Sequence, residues 1–132
     1  MSIEGLKTLF ALLELQPGDV VKCIMALESS ELEAYYILLR DGPATVKTMT
    51  QKLNKSRPAT QKILHNLVMK GLAVRTEVFI GKGGYMYEYK AVPPDVLRNI
   101  LKRKLAQWYE AVQKLLDNIP DDIIKEIAKK NN

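Results

Sequence analysis

Apolar residues recur at helical spacing along most of this chain, and the stretch 53–74 gives the clearest pattern. One side of its predicted helix is expected to face a core: Thr60, Ile63, Leu64, Leu67 and Val68. The other side is polar and faces outward: Arg57, Gln61, Lys62 and His65. Ser56 is expected to cap this helix, which begins at Arg57 or Pro58 and stops at Gly71.

A shorter helical pattern comes directly before it. Thr45 to Leu53 places Val46, Met49 and Leu53 on one side, and only Asn54 and Lys55 separate it from the next cap. Two helices joined by so short a turn predict a helix-turn-helix. The alternative is an ordinary pair of helices packed in a core.

Two helices are predicted at the N-terminus. Ile3 to Leu15 is apolar at helical spacing and is broken by Pro17-Gly18, and Asp19 can then cap a helix over Val20 to Leu27. Both are expected to pack on the domain or on a partner subunit. Cys23 is expected to be a small buried hydrophobe, and the alternative is a redox-responsive thiol near a dimer interface.

A capping box predicts the next helix. Ser30 stands at the cap and Glu33 follows three residues later, which opens a helix from Glu31 to Arg40. Its expected inner stripe consists of Leu32, Tyr35, Tyr36 and Leu39. Asp41-Gly42-Pro43 ends it.

Alternation over 73–92 predicts a β-hairpin, which would be a wing. The residues of one alternating set are Val74, Thr76, Val78, Ile80, Tyr85, Tyr87, Tyr89 and Ala91. A four-residue turn, Gly81 to Gly84, places this whole set on one face against the core, whereas a three-residue turn would mix tyrosines with Glu77 and Arg75. The four-residue turn is therefore predicted. Its tip is either a plain hairpin turn or a contact at which Lys82 supplies charge to a phosphate.

The longest helical pattern runs from Asp95 to Ile119. Its apolar seam alternates steps of four and three residues: Leu101, Leu105, Trp108, Val112, Leu115 and Ile119. This seam favours the interface of a homodimer, and the alternative is a helix folded back on its own domain. A short helix from Asp121 to Lys130 follows.

Together these patterns predict a mainly α-helical fold with a small β-hairpin wing. We expect a winged helix-turn-helix with N-terminal helices and a long C-terminal dimerisation helix. The expected division is an N-terminal helical extension (1–28), a winged helix-turn-helix DNA-binding domain (29–93) and a dimerisation helix (94–132).

Composition narrows the setting. The chain has 132 residues, 47% of them hydrophobic, which suits one compact domain. No apolar run is long enough to span a membrane, and no signal-peptide pattern is present. The single Cys excludes an internal disulfide and suggests a reducing, cytoplasmic location.

Charge indicates the partner. From Gly42 to Thr76 there is no Asp or Glu, and the basic residues of this acid-free window are Lys47, Lys52, Lys55, Arg57, Lys62, Lys70 and Arg75. A face of one sign suits a polyanion. The candidate DNA-binding residues are Lys47, Lys52, Lys55, Ser56, Arg57, Gln61, Lys62, His65, Arg75 and Lys82.

The chain from Leu27 to about Leu116 resembles the archaeal TrmB-like winged-helix regulators and, more distantly, the MarR-type regulators. The more specific part is a tyrosine-rich strand that runs into Val-Pro-Pro and a helix containing Trp-Tyr, GGYMYEYKAVPPDVLRNILKRKLAQWYE. The resemblance implies a homodimeric, sequence-specific regulator that binds double-stranded DNA. Many larger TrmB proteins carry a sugar-binding domain after the DNA-binding one, which this chain is too short to hold, so sugar sensing is not expected.

Other functions fit less well. One His and one Cys cannot make a zinc cluster, and no Ser sits in a nucleophile elbow, so we expect no catalytic residues, metal or cofactor. The alternative class is a winged helix that docks proteins without reading DNA, but such a surface has no reason to exclude acids across the window. RNA is disfavoured because its major groove is too narrow for a helix. No effector is identified.

Overall fold

The computed structural model describes residues 16–130, so the helix predicted over Ile3 to Leu15 lies outside the described residues. The chain there forms helices α1 (Pro17–Met25), α2 (Ser29–Asp41), α3 (Val46–Leu53) and α4 (Arg57–Met69), strands β1 (Ala73–Phe79) and β2 (Tyr85–Ala91), and helices α5 (Pro94–Asp117) and α6 (Asp121–Lys130). This order of helices, hairpin and long helix confirms the predicted winged helix-turn-helix.

The core lies between α2, α3, α4 and the base of the hairpin. Its most deeply buried large apolar side chains are Leu38, Met49, Leu64, Leu67 and Leu72. Ala44 bridges to β2 by exchanging two backbone hydrogen bonds with Tyr89, with N···O distances of 2.9 and 2.8 Å. The Tyr35 hydroxyl donates to the carbonyl oxygen of Val92 at 2.8 Å. The base of the hairpin is thus held to the helices.

The helix-turn-helix forms where the sequence predicted it. The Thr45 hydroxyl oxygen caps α3 and the Ser56 hydroxyl oxygen caps α4, each accepting a backbone N–H at 3.3 Å. Between them Asn54 adopts a φ of 54°, a left-handed conformation that asparagine tolerates better than most residues. The turn is therefore tight, and α4 begins at Arg57.

Helix α1 differs from its prediction. Pro17 lies in its first turn, where a proline leaves no helical hydrogen bond unmade, and Gln16 is the N-cap. The expected start of this helix at Val20 is therefore wrong, whereas the expected break of the preceding helix concerns residues outside the described part of the chain. Cys23 is exposed while Met25 reaches the core, so the expected burial of this cysteine is also wrong.

Helix α2 begins at a different cap. Glu28, not Ser30, is the N-cap, and the Glu31 carboxylate accepts the Glu28 backbone N–H at 2.8 Å. The buried residues are Glu31, Ala34, Tyr35, Ile37 and Leu38. Tyr36 and Leu39 of the predicted stripe are instead exposed, by 57% and 40%. Both sides of this helix carry large apolar residues, so spacing alone did not identify the inner one.

A buried ion pair ties α2 to the end of α4. The Glu31 side chain is 3% exposed, and its Oε1 lies 3.2 Å from Nζ of Lys70, which also donates to the Ala26 carbonyl oxygen at 2.7 Å. Burial raises the pKa of Glu31, but hydrogen bonds from the Glu28 N–H and from Lys70, together with the nearby Asn66 side chain, outweigh it. The net pKa of Glu31 is lowered, and Lys70 is engaged within the fold.

The hairpin turn is shorter than predicted. The prediction of a four-residue turn is wrong. Between the strands, Ile80 and Gly84 flank a 3-10 turn of three residues, Gly81–Gly83. The Ile80 N–H closes it by donating to the Gly84 carbonyl oxygen at 2.9 Å. Gly81 and Gly84 have φ values of 77° and 89°, which glycine adopts without a steric penalty. These two glycines therefore allow the tight closure.

This turn shifts the register by one residue, so one hairpin face mixes tyrosines with charged residues. Arg75 pairs with Tyr89 and Glu77 with Tyr87. The prediction assumed that the core covers the whole hairpin, but only its base is buried: Ala73, Tyr89 and Ala91. Beyond the base, burial does not select an apolar face. A guanidinium can instead lie on a ring, and Cζ of Arg75 is 4.2 Å from the ring centroid of Tyr87.

Helix α5 is anchored only at its start. Leu97 is buried, and Ile100 and Leu101 pack against the core. Further along, Leu105 and Trp108 are exposed by 48% and 63%. Among the described elements, α1 is the main one that packs beside α5. Most of the predicted seam is therefore exposed with respect to residues 16–130.

Replacing Glu31 with glutamine tests the buried ion pair. The free energy of unfolding should fall by about 1–3 kcal/mol at neutral pH, because Lys70 loses its buried carboxylate. The folded-state pKa of Glu31 is lowered, so its charge stabilises the fold above the unfolded pKa of about 4.3 and ceases to do so as the pH falls through the folded value. The difference from wild type should shrink in that acidic range in urea titrations.

Glu33 provides the matched control, because it is exposed on the same helix. Glu33→Gln should change the free energy of unfolding by less than about 0.5 kcal/mol. Equal losses in both variants would contradict the structural role of Glu31.

Candidate nucleic-acid interface

The outward side of α4 is free of the core, as the sequence predicted. Its exposed residues are Arg57, Gln61, Lys62 and His65. Thr60, Ile63, Leu64 and Leu67 are buried on the inner side, and Val68 is half-buried. The Thr60 hydroxyl donates to the Ser56 carbonyl oxygen at 2.9 Å, so this polar group is satisfied within the helix. The helix is therefore held by one side and presents the other.

A cleft of about 570 Å³ separates this outward side from the hairpin. The helical wall consists of Thr45, Val46, Lys47, Arg57, Gln61 and His65. The hairpin wall consists of Arg75, Tyr85, Met86, Tyr87 and Tyr89. These described lining residues include basic, aromatic and uncharged side chains but no carboxylate. Part of the acid-free window, including Lys47, Arg57 and Arg75, thus lines one three-dimensional surface, which we call the basic cleft.

Stacking positions the arginine of the hairpin wall. The Arg75 guanidinium lies over the Tyr87 ring, with its Cζ 4.2 Å from the ring centroid. A guanidinium held in this way keeps N–H donors at its edge, in the planar arrangement that suits a phosphate or a guanine. Arg75 is thus positioned as a donor toward the cleft.

The sequence missed the aromatic part of this wall. Tyr85 and Tyr87 were expected to face the core, but they are exposed by 67% and 44%, and Tyr89 is the buried one. The glycines within 81–84 are compatible with a three-residue turn as well as a four-residue one, so the sequence held no signal that decides between them. The three-residue turn brings the tyrosines onto the face that carries Arg75.

Lys52 is separate from the cleft. Its Nζ lies 2.9 Å from a carboxylate oxygen of Asp41, and Arg40 binds the other carboxylate oxygen at 2.8 Å. Hydrogen bonds from Arg40 and Lys52 hold the pKa of Asp41 well below its usual range. This exposed cluster occupies the Lys52 side chain at the end of α2.

The other candidates lie around the cleft. Lys55 and Lys62 border a smaller pocket on the flank of α4, together with Glu28 and Asn66. Lys82 is exposed at the hairpin turn. Ser56 is exposed at the start of α4 while its hydroxyl oxygen caps that helix. Of the ten predicted residues, the cleft brings together Lys47, Arg57, Gln61, His65 and Arg75.

The predicted dimer seam has two parts. Leu101 packs on its own domain, whereas Leu105 and Trp108 line an apolar groove of about 520 Å³ between α5 and α1, near Cys23. Val112 is half-buried, Leu115 is 68% exposed, and Ile119 lies beyond the helix end.

Two further properties apply to residues 16–130. None of the helices there has the length and apolar character needed to cross a bilayer. Nor do three or more His, Cys, Asp or Glu side chains in this range come together as a possible metal site.

The fold and the cleft define a winged helix-turn-helix protein with a basic, aromatic surface beside its exposed helix. The chain belongs to the TrmB family, whose description is "sugar-specific transcriptional regulator TrmB" and whose pattern matches residues 21–95. Family and fold are therefore those of transcription regulators and not of enzymes, and the sequence resemblance to TrmB is confirmed.

Similar proteins occur in archaea. The protein MJ1082 of Methanocaldococcus jannaschii is 36% identical over 98 residues, which cover 74% of this chain and 81% of that protein. MJ1503 of the same organism is 28% identical over 109 residues, 82% and 83% of the two chains. A solved structure described as a possible transcriptional regulator from Methanosarcina mazei has a TM-score of 0.71 at 22% identity and covers 81% of this chain and 91% of that chain. MarR-type regulators are more distant structural matches.

Proposed function

We propose that this protein is a transcription regulator that binds double-stranded DNA as a homodimer. Helix α4 enters the major groove, and the hairpin contacts the backbone or the minor groove. The observation that carries the proposal is the basic cleft, because it joins an exposed helix face to a projecting hairpin with no carboxylate among its lining residues. We infer a cytoplasmic location as well, because the DNA of such a regulator lies there.

The outward face of α4 has the chemistry of a base reader. Arg57, Gln61 and His65 follow one another at four-residue intervals, so they form one ridge along the cleft side of the helix. The major groove admits an α-helix, and residues near the N-terminus of a recognition helix contact base edges. Arginine pairs with guanine and glutamine with adenine by two hydrogen bonds each.

Replacing Arg57 or Gln61 with alanine should affect particular base pairs. Each change should weaken binding to the preferred duplex by about 1–3 kcal/mol and relax the preference at one or two positions. Selection of duplexes from a random pool, with the wild type and with each variant, measures both effects. Equal weakening on preferred and random DNA would show that α4 does not read bases.

The hairpin turn should hold DNA without reading it. Lys82→Ala should weaken binding to every sequence by a similar factor and reduce the slope of log affinity against log salt by about one unit. Lys52→Ala is the matched control, because Asp41 already neutralises that lysine away from the cleft. Anisotropy titrations at several salt concentrations separate the two variants, and equal slopes for them would argue against a phosphate contact by Lys82.

Pairing through α5 is supported by the exposed seam. Leu105, Trp108 and Leu115 are large apolar residues that the described chain leaves uncovered. A soluble chain gains stability when such a stripe is buried against another helix. The two-fold dimer would present two copies of α4, so the operator should be an imperfect palindrome with half-sites about 34–36 Å apart.

Trp108→Glu tests the pairing, since it places a charge in the seam. Sedimentation equilibrium should show a monomer, and affinity for the two-half-site duplex should fall steeply because the second half-site no longer benefits from a high effective concentration. Tyr109→Glu is the control, because Tyr109 is similarly exposed, at 59%, but lies off the seam. If both variants stayed dimeric with full affinity, the dimer contact would have to lie elsewhere.

A further inference from the structure

The outer end of the hairpin carries exposed aromatic rings. Phe79 and Tyr85 are 68% and 67% exposed, with ring centroids 5.6 Å apart and planes inclined by 60°. Ile80 beside them is 47% exposed. Large apolar side chains clustered at the end of a projecting element are typical of a contact surface. We call Phe79 and Tyr85 the aromatic tip.

The aromatic tip lies on the cleft side of the hairpin. Phe79 pairs with Tyr85, and this pair continues the same face as Glu77 with Tyr87 and Arg75 with Tyr89. Tyr85 itself lines the basic cleft opposite α4. The rings are therefore continuous with the surface proposed to bind DNA.

The charged residues of the hairpin limit how deeply it can enter a groove of DNA. Lys82 is the basic residue of the turn, next to the rings, and it can neutralise a phosphate on the rim of a groove. Glu77 is exposed two residues before Phe79 on the same face of the hairpin, and its carboxylate would be repelled by the phosphate backbone. This arrangement favours shallow entry into the groove, in which only the aromatic tip is inserted.

We infer that Phe79 and Tyr85 form an apolar wedge that enters the minor groove beside the segment contacted by α4. The wedge packs against sugar edges and partly separates one base step there, so it senses how easily that step deforms. Apolar side chains inserted in this way are a known mode of minor-groove binding, and pyrimidine–purine steps separate most readily. The inference rests on the proposed function and adds a second, indirect source of specificity to it.

The first test compares affinity with salt dependence. Phe79→Ala and Tyr85→Ala should each weaken binding to the duplex selected by the wild type about tenfold, which is within the range measured for aromatic stacking on bases. The salt slope should stay at the wild-type value, because neither change removes a charge. Lys82→Ala should show the opposite pattern, with a reduced slope.

Matched variants separate the ring from general effects. Tyr85→Phe keeps the ring and should recover most of the affinity that Tyr85→Ala loses. Tyr36→Ala removes another exposed aromatic residue, from α2 and outside the cleft, and should leave affinity unchanged. Circular dichroism and thermal unfolding check that each variant keeps the fold, which the exposure of the rings leads us to expect.

The second test detects base separation directly. 2-Aminopurine is placed at successive positions of the selected duplex, and its fluorescence should rise on binding at one step in each half-site. That rise should be lost with Phe79→Ala and retained with Tyr36→Ala. If the ring only stabilised the fold, its removal would not abolish a fluorescence rise at one particular base step.

Three results would overturn the wedge. Wild-type affinity of both alanine variants, together with weakened binding by Arg57→Ala, would leave the proposed function intact and refute the inference. Conversion of Phe79→Ala to a monomer in sedimentation would assign the tip to a second copy of the chain. Failure of the wild-type protein to bind any duplex would refute the proposed function and the inference together.

Discussion

The ion pair between Glu31 and Lys70 fixes the end of helix α4 to the rest of the domain. Lys70 is the C-cap of α4, where a cation is also favoured by the helix dipole, and its ammonium reaches the Ala26 carbonyl oxygen at the end of α1. Glu31 in turn holds the backbone N–H of Glu28 at the start of α2. Three chain segments therefore meet at one charge pair. Because α4 is fixed there, its outer face and the hairpin that follows have a defined relation.

Sequence reasoning succeeded where burial separates two sides of an element. Helix α4 has most of its large apolar residues on one side, with Met69 at its end as the exposed exception, so its buried and exposed faces followed from spacing. Sequence reasoning failed for α2, because Tyr36 and Leu39 are as apolar as the residues that enter the core. It failed for the hairpin because most of the hairpin projects beyond the core. There the choice of which alternating set of residues faces the core has little effect on stability, and the turn geometry sets the register of the strands. The partners of Lys52 and Lys70 lie far away in the chain, so their ion pairs could not be predicted from local pattern.

The basic cleft combines charged and aromatic residues, and the contacts of these two groups depend differently on salt concentration. Lysines and arginines attract a polyanion by forces that salt screens, and two lysines of the acid-free window are engaged by carboxylates of the domain. The tyrosine wall adds apolar area that salt does not weaken. A protein built in this way should be less sensitive to ionic strength than its count of basic residues implies. The aromatic wall therefore affects the conditions under which the protein can work as well as its preferred partner.

The exposed seam of α5 has a consequence for how occupancy of a DNA site would respond to the amount of protein. Under the proposed function, a helix of this length, about 36 Å, would bring two domains together on DNA only while a second chain is available. Under the proposed pairing, mass action makes the amount of dimer depend on the square of the monomer concentration whenever the dimer is the minor species. Occupancy of a paired site would then change more steeply than the amount of protein itself. A modest change in synthesis or degradation of the chain would be amplified into a larger change at the promoter, with no effector required.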